Sequence, residues 1–120
     1  MSVLYVTGIR GSGKTSTLLN KVGPIQDEYD LVVFVSHDMK SATEVVKFVF
    51  DNFHDLEIDP SRFMVLSASQ VSEGAAMGLG YGTAAVVDNY DMISDREKDA
   101  LAQQTWDLAA LSLVSSVTHQ

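Results

Sequence analysis

Apolar positions along the chain fall into five short runs with helix-spaced stripes between them. Residues 2–7, 31–36, 62–67, 83–88 and 113–117 are rich in Val, Leu, Phe and Ala and have strand length, so each is read as a strand. The run at 31–36 is apolar throughout, the pattern of a strand covered on both faces, as in a parallel sheet. Residues 14–21 carry good helix formers up to Gly23-Pro24, which is expected to stop them. Ser41 and Glu44 have capping-box spacing and are expected to open a helix whose Val45, Phe48, Val49 and Phe53 form a core-facing stripe, widened by Val46 and Phe50. Ser94 and Glu97 repeat that signature ahead of Leu101, Ala102, Thr105, Leu108 and Ala109. Polar connections are expected at 26–28 and at 54–61, the latter carrying Pro60. Residues 70–77 allow a short helix, but the glycines at 74, 78, 80 and 82 favour a mobile connection over a glycine-rich ligand loop.

Strands alternating with helices or long crossovers predict an α/β fold, a mostly parallel five-stranded sheet in three layers, in a single domain spanning residues 1–120. The length of 120 residues suits one core. There is no cysteine, which removes disulfides and thiolate metal sites and suits a reducing compartment. No secretory leader or membrane-length apolar run is apparent, so a cytoplasmic protein with no membrane partner is expected. Sixteen acidic against eight basic side chains give a net charge of −8. Non-specific nucleic-acid binding comes from neutralising phosphates, so this balance argues against strong DNA binding by the chain alone.

The most informative stretch lies between the first strand and the first helix. Gly8-Ile9-Arg10-Gly11-Ser12-Gly13-Lys14-Thr15 matches G-x-x-x-x-G-K-[ST], the phosphate-cradling P-loop, in the required strand–loop–helix context. The glycines let successive N–H groups close around a phosphate, and the helix start adds unpaired N–H groups and a dipole. The dipole contributes roughly 0.3–2 kcal/mol, while micromolar affinity needs about 8 kcal/mol. The nest, the Lys14 ammonium and a Mg²⁺ held by Thr15 must therefore supply most of the binding. The nucleotide-binding residues expected are Gly8, Arg10, Gly11, Ser12, Gly13, Lys14, Thr15 and Ser16. Asp88, ending the run at 83–88, reads as a Walker B carboxylate that holds the same cation with Thr15. His37-Asp38 ends the second strand at the sheet edge where ligands bind; a turn is favoured there over a site lining.

This order of P-loop strand, two strands, acid-tipped strand, helix and a strand ending in a polar residue resembles the additional-strand class of P-loop ATPases. Within it the chain most resembles DNA-packaging ATPases of large viruses and chromosome-segregation translocases, on Gly8 to Thr15, Val86-Val87-Asp88 and Leu113 to Gln120. The resemblance implies that the last strand lies between the P-loop strand and the Asp88 strand, with residues 112–117 in mid-sheet. It also implies ATP and Mg²⁺ as cofactors, Lys14, Asp88 and Gln120 as catalytic residues, Gln120 (less so His119) sensing the γ-phosphate, and DNA as a partner within an oligomer. For a viral protein the compartment would be the host cytoplasm.

Two departures matter. Those ATPases carry an acid directly after the metal-binding Asp, where this chain has Asn89, which can hydrogen-bond a water but cannot take its proton. Asp91 or Glu73 would have to substitute, or hydrolysis is slow. The chain also stops where those ATPases continue, which leaves residues 3–6 expected on an uncovered edge that invites self-association or a partner chain. Arg62 and Arg96 are conceivable trans-acting fingers, with solvation favoured. The functions weighed are a Mg²⁺-dependent ATPase, a slow or nonhydrolytic nucleotide-binding module, and a small-molecule kinase. No N-K-x-D guanine signature occurs, so ATP rests on the resemblance.

Overall fold

The computed structural model describes residues 4–8, 14–80 and 82–114. Its strands are β1 (Leu4–Gly8), β2 (Leu31–Ser36), β3 (Phe63–Ser67), β4 (Thr83–Val87) and β5 (Asp107–Val114). All pair in parallel, in the order β1-β5-β4-β2-β3. The helices are α1 (Lys14–Gln26), α2 (Met39–Leu56), α3 (Ala68–Ser72) and α4 (Asp95–Gln103).

Strand alternation divides the core in two. Val32, Phe34, Ala84, Val86 and Ala110 face Leu18, Leu19 and Val22 of α1 and Val45 and Val49 of α2. Val33, Val35, Ala85, Val87 and Leu111 face the other way, onto Val71 of α3, Leu101 of α4 and Trp106. Both sheet faces are therefore covered, in three layers, which is why β2 and β4 read as unbroken apolar runs. The chain lays α1 and α2 on one face on its way out to β3, then returns by α3 and α4 on the other. β5 fills the slot between β1 and β4, where the resemblance placed it.

Several boundaries differ from the sequence reading. α1 continues through Gly23 and Pro24 to Gln26. Pro24 falls in the last turn at the cost of one backbone hydrogen bond, and the extra turn buries Gln26, whose amide donates to the carbonyls of Asp59 and Arg62 and accepts from the Asp59 N–H. Gly23 is required by a close approach: a Cβ there would lie 2.8 Å from the Glu57 carbonyl oxygen. α2 starts before the expected Ser41–Glu44 box, with Asp38 as N-cap accepting from the Ser41 N–H at 2.8 Å. Its stripe is narrower than the sequence suggested. Val45 and Val49 are buried, but Phe48 and Phe50 are 43% and 65% exposed.

The largest correction is at β5. The Ser94–Glu97 capping box opens α4 as expected, but the helix ends at Gln103, and residues 107–114 form the strand instead of helix followed by a strand at 113. Pairing with β1 and β4 together outweighs the helix preference of the Leu and Ala residues there. Among the described residues β1 pairs with β5 alone, and Leu4 and Tyr5 on it are exposed. Gly74, Gly78 and Gly82 take positive φ in the turns that lead from α3 to β4.

Candidate functional site

The C-terminal ends of the parallel strands form the edge at which open α/β sheets place their ligands. β1 ends there at Gly8, α1 begins at Lys14, and β4 delivers Asp88 to the same edge. Asp88 extends β4 by one hydrogen bond, its N–H donating to the Val35 carbonyl at 2.8 Å. The Thr15 hydroxyl donates to Asp88 Oδ2 at 2.6 Å. The two expected metal-binding residues are thus in direct contact, and Asp88 is only 4% exposed. Its second oxygen, Oδ1, is buried and has no hydrogen-bond partner among the described residues. A buried carboxylate oxygen aimed at nothing is costly, and a cation or an N–H donor is what satisfies it.

Beside this pair lies a cavity of about 350 Å³ between α1 and α2, lined by Thr15, Ser16, Glu44, Phe48, Asp88 and Asn89 among others. Ser16 lines this cavity next to Thr15. Arg10, Gly11, Ser12, Gly13, His119 and Gln120 lie outside the described residues, as does the Lys14 side chain.

Asn89 takes the left-handed conformation, φ 53° and ψ 47°, at the turn after β4. Its amide Nδ2 lies 3.3 Å from Nδ1 of His37, and Nε2 of the same imidazole lies 3.3 Å from Asp38 Oδ2. An amide NH₂ only donates, so this contact requires Nδ1 to accept and leaves Nε2–H to point at Asp38. His37, favoured as a turn residue on sequence grounds, is held against the residue that follows Asp88. Asp38 is itself held below the usual carboxylate range, first by the backbone N–H of Ser41 and then by the Ser41 side chain.

Of the carboxylates considered as replacements for the missing acid, Glu73 caps the C-terminus of α3 and Asp91 sits in a short 3₁₀ turn, Tyr90–Met92. Neither lines the cavity at Thr15 and Asp88, whereas Glu44 does. Glu44 was legible only as a helix-capping residue. Arg62 is anchored at the opposite end of the sheet, its guanidinium donating to the Gln26 and Tyr29 carbonyls and to Asp59 Oδ2. It serves the fold there, while Arg96 is exposed on α4.

No cluster of three or more His, Asp or Glu side chains suited to caging a metal occurs among the described residues. One carboxylate and one hydroxyl suit a Mg²⁺ that keeps most of its waters and arrives with phosphates, not a cation held by protein alone. No helix among the described residues is long and apolar enough to cross a membrane. The chain matches no protein-family model, and no curated protein or solved structure is detectably similar to it.

Proposed function

We propose that this chain is a Mg²⁺-dependent, ATP-binding P-loop NTPase. The observation that carries the reading is the 2.6 Å hydrogen bond from Thr15 to Asp88, which joins the last residue of the glycine-rich motif to the acid of the second one. Asp88 Oδ1, buried and without a partner among the described residues, is a fit for a cation at that point. In this reading the backbone of residues 8–14 and the Lys14 ammonium hold the phosphates, and Thr15 and Asp88 hold the metal. The metal supplies charge neutralisation at the phosphoryl oxygens. Gln120 lies outside the described residues, and its role as the γ-phosphate sensor rests on the resemblance alone.

Asn89 favours a slow hydrolase or nucleotide-dependent switch over a fast motor. Its amide is engaged with His37, and neither group beside Asp88 is a carboxylate able to take a proton from water. Glu44, across the cavity, is the carboxylate placed to assist. DNA translocation, as in the packaging ATPases that the sequence resembles, and assembly through the β1 edge are proposals that rest on the resemblance and on the exposed Leu4 and Tyr5. ATP turnover with Mg²⁺ tests the enzyme, in the native chain and in Lys14→Ala. Turnover that Lys14→Ala abolishes supports the hydrolase; Lys14-dependent binding without turnover leaves the switch; neither rejects both. Stimulation by DNA would favour the motor.

A further inference from the structure

We propose that Ser36 and Ser112, on the strands either side of Asp88, hold water molecules of the cation's hydration shell; this rests on the nucleotide-binding reading above. Ser36, Asp88 and Ser112 are 1%, 4% and 0% exposed. Among the described residues, their Oγ, Oδ1 and Oγ atoms are the buried side-chain polar atoms with no hydrogen-bond partner. They are not scattered. Val35 pairs with Val87, and Val87 with Leu111, so one step further along β2, β4 and β5 puts Ser36, Asp88 and Ser112 at a single level of the sheet.

Paired residues of parallel strands share a face. Val35, Val87 and Leu111 face α3 and α4, so the next residue on each strand faces α1 and α2, the side from which Thr15 reaches Asp88. Ser67 stands in register with Ser36 on the next strand, and its hydroxyl is satisfied as the N-cap of α3. The two hydroxyls beside Asp88 have no such structural use.

Native proteins leave few buried polar groups unpaired. Two hydroxyls flanking a carboxylate oxygen, all three without a partner among the described residues, point to a shared polar ligand. Mg²⁺ sheds its waters reluctantly and binds through one or two protein oxygens plus phosphate. Its waters donate hydrogen bonds, and a serine hydroxyl accepts them without adding charge beside the phosphates.

The test measures the affinity of a fluorescent, non-hydrolysable ATP analogue with Mg²⁺ and with EDTA, and the melting temperature without nucleotide. The proteins are wild type, Ser36→Ala, Ser112→Ala, the double variant, Asp88→Asn and Lys14→Ala. In the double variant the gain in affinity from Mg²⁺ should fall by about 10- to 100-fold, the usual effect of removing outer partners of a metal. Affinity in EDTA should be unchanged and the melting temperature unchanged or higher. A Mg²⁺ gain that Asp88→Asn removes but the double variant keeps would overturn the proposal, leaving the hydroxyls to ordinary buried water. So would a lower melting temperature in the double variant, which would make the hydroxyls structural. Absence of Lys14-dependent binding in the wild type would instead reject the nucleotide-binding reading, and the proposal with it.

Discussion

Thr15 and Asp88 stand 73 residues apart in sequence and 2.6 Å apart in space, hydroxyl to carboxylate. The contact satisfies one oxygen of a carboxylate that is otherwise enclosed by β2 and β5. Thr15→Ala should leave both Asp88 oxygens unpaired and destabilise the nucleotide-free protein by about 1–3 kcal/mol, while Thr15→Ser should restore most of it. Asp88→Asn should go the other way, raising stability by about 1 kcal/mol because a buried charge is removed at a functional position. Urea denaturation of the three variants near neutral pH measures both effects.

At Gly23 two effects oppose one another. Alanine is favoured over glycine in a helix by about 1 kcal/mol. A Cβ at this position, however, would meet the Glu57 backbone carbonyl at 2.8 Å, and backbone cannot swing aside as a flexible side chain can. Gly23→Ala is expected to lose about 1–3 kcal/mol of stability through the forced shift of α1 against the end of α2. A melting temperature equal to or above that of the wild type would show that the two helices part easily.

The α2 cap carries a pH dependence of defined sign. The Asp38 carboxyl is held below its ordinary value of 3.8 by the Ser41 N–H, so its folded form is the more acidic one. The stabilisation it gives is complete above the unfolded value and is lost as pH falls through the lowered folded value. Asp38→Ala should cost about 0.5–2 kcal/mol near neutral pH. Its melting curve should converge on that of the wild type in acid below the lowered value. A gap that persists there would mean that the cap does not depend on the charge.

Residue 89 tests the site's missing acid. Asn89→Glu places a carboxylate beside Asp88 and should raise Mg²⁺-ATP turnover by at least about tenfold, with roughly 100-fold the usual low end for a well-positioned general base. It also puts a residue less tolerant of the left-handed region at φ 53°, so a stability loss of about 1 kcal/mol should accompany the gain. Asn89→Gly, free of that strain, should keep stability and show no gain. Equal turnover in all three would remove water activation from this position.

Residues 9–13 of the glycine-rich motif lie outside the described residues, but the strand leading to Asp88 and the parallel α/β layers were legible because each rests on local pattern, an unbroken apolar run or a capping box. The extent of β5 was not. Leu108, Ala109, Ala110 and Leu111 are good helix formers, and only the slot between β1 and β4 makes them a strand. Pro24 misled for a related reason, since the final turn it falls in buries Gln26. Ser36, Ser112, Glu44 and the His37–Asn89 contact could not be found from sequence. Each is an ordinary polar residue at a strand end or on a helix, and strand register together with the placement of α2 brings them to Asp88.

The proposed function requires the edge holding Thr15 and Asp88 to bind nucleotide phosphates with Mg²⁺. Its most direct test is equilibrium binding of ATP in the presence of Mg²⁺, by calorimetry, for the wild type, Lys14→Ala and Asp88→Asn. The wild-type dissociation constant should be about 1 μM to 1 mM, equivalent to roughly 4–8 kcal/mol, and either substitution should weaken binding at least about tenfold. Undetectable wild-type binding, or equal affinity in all three proteins, would contradict it.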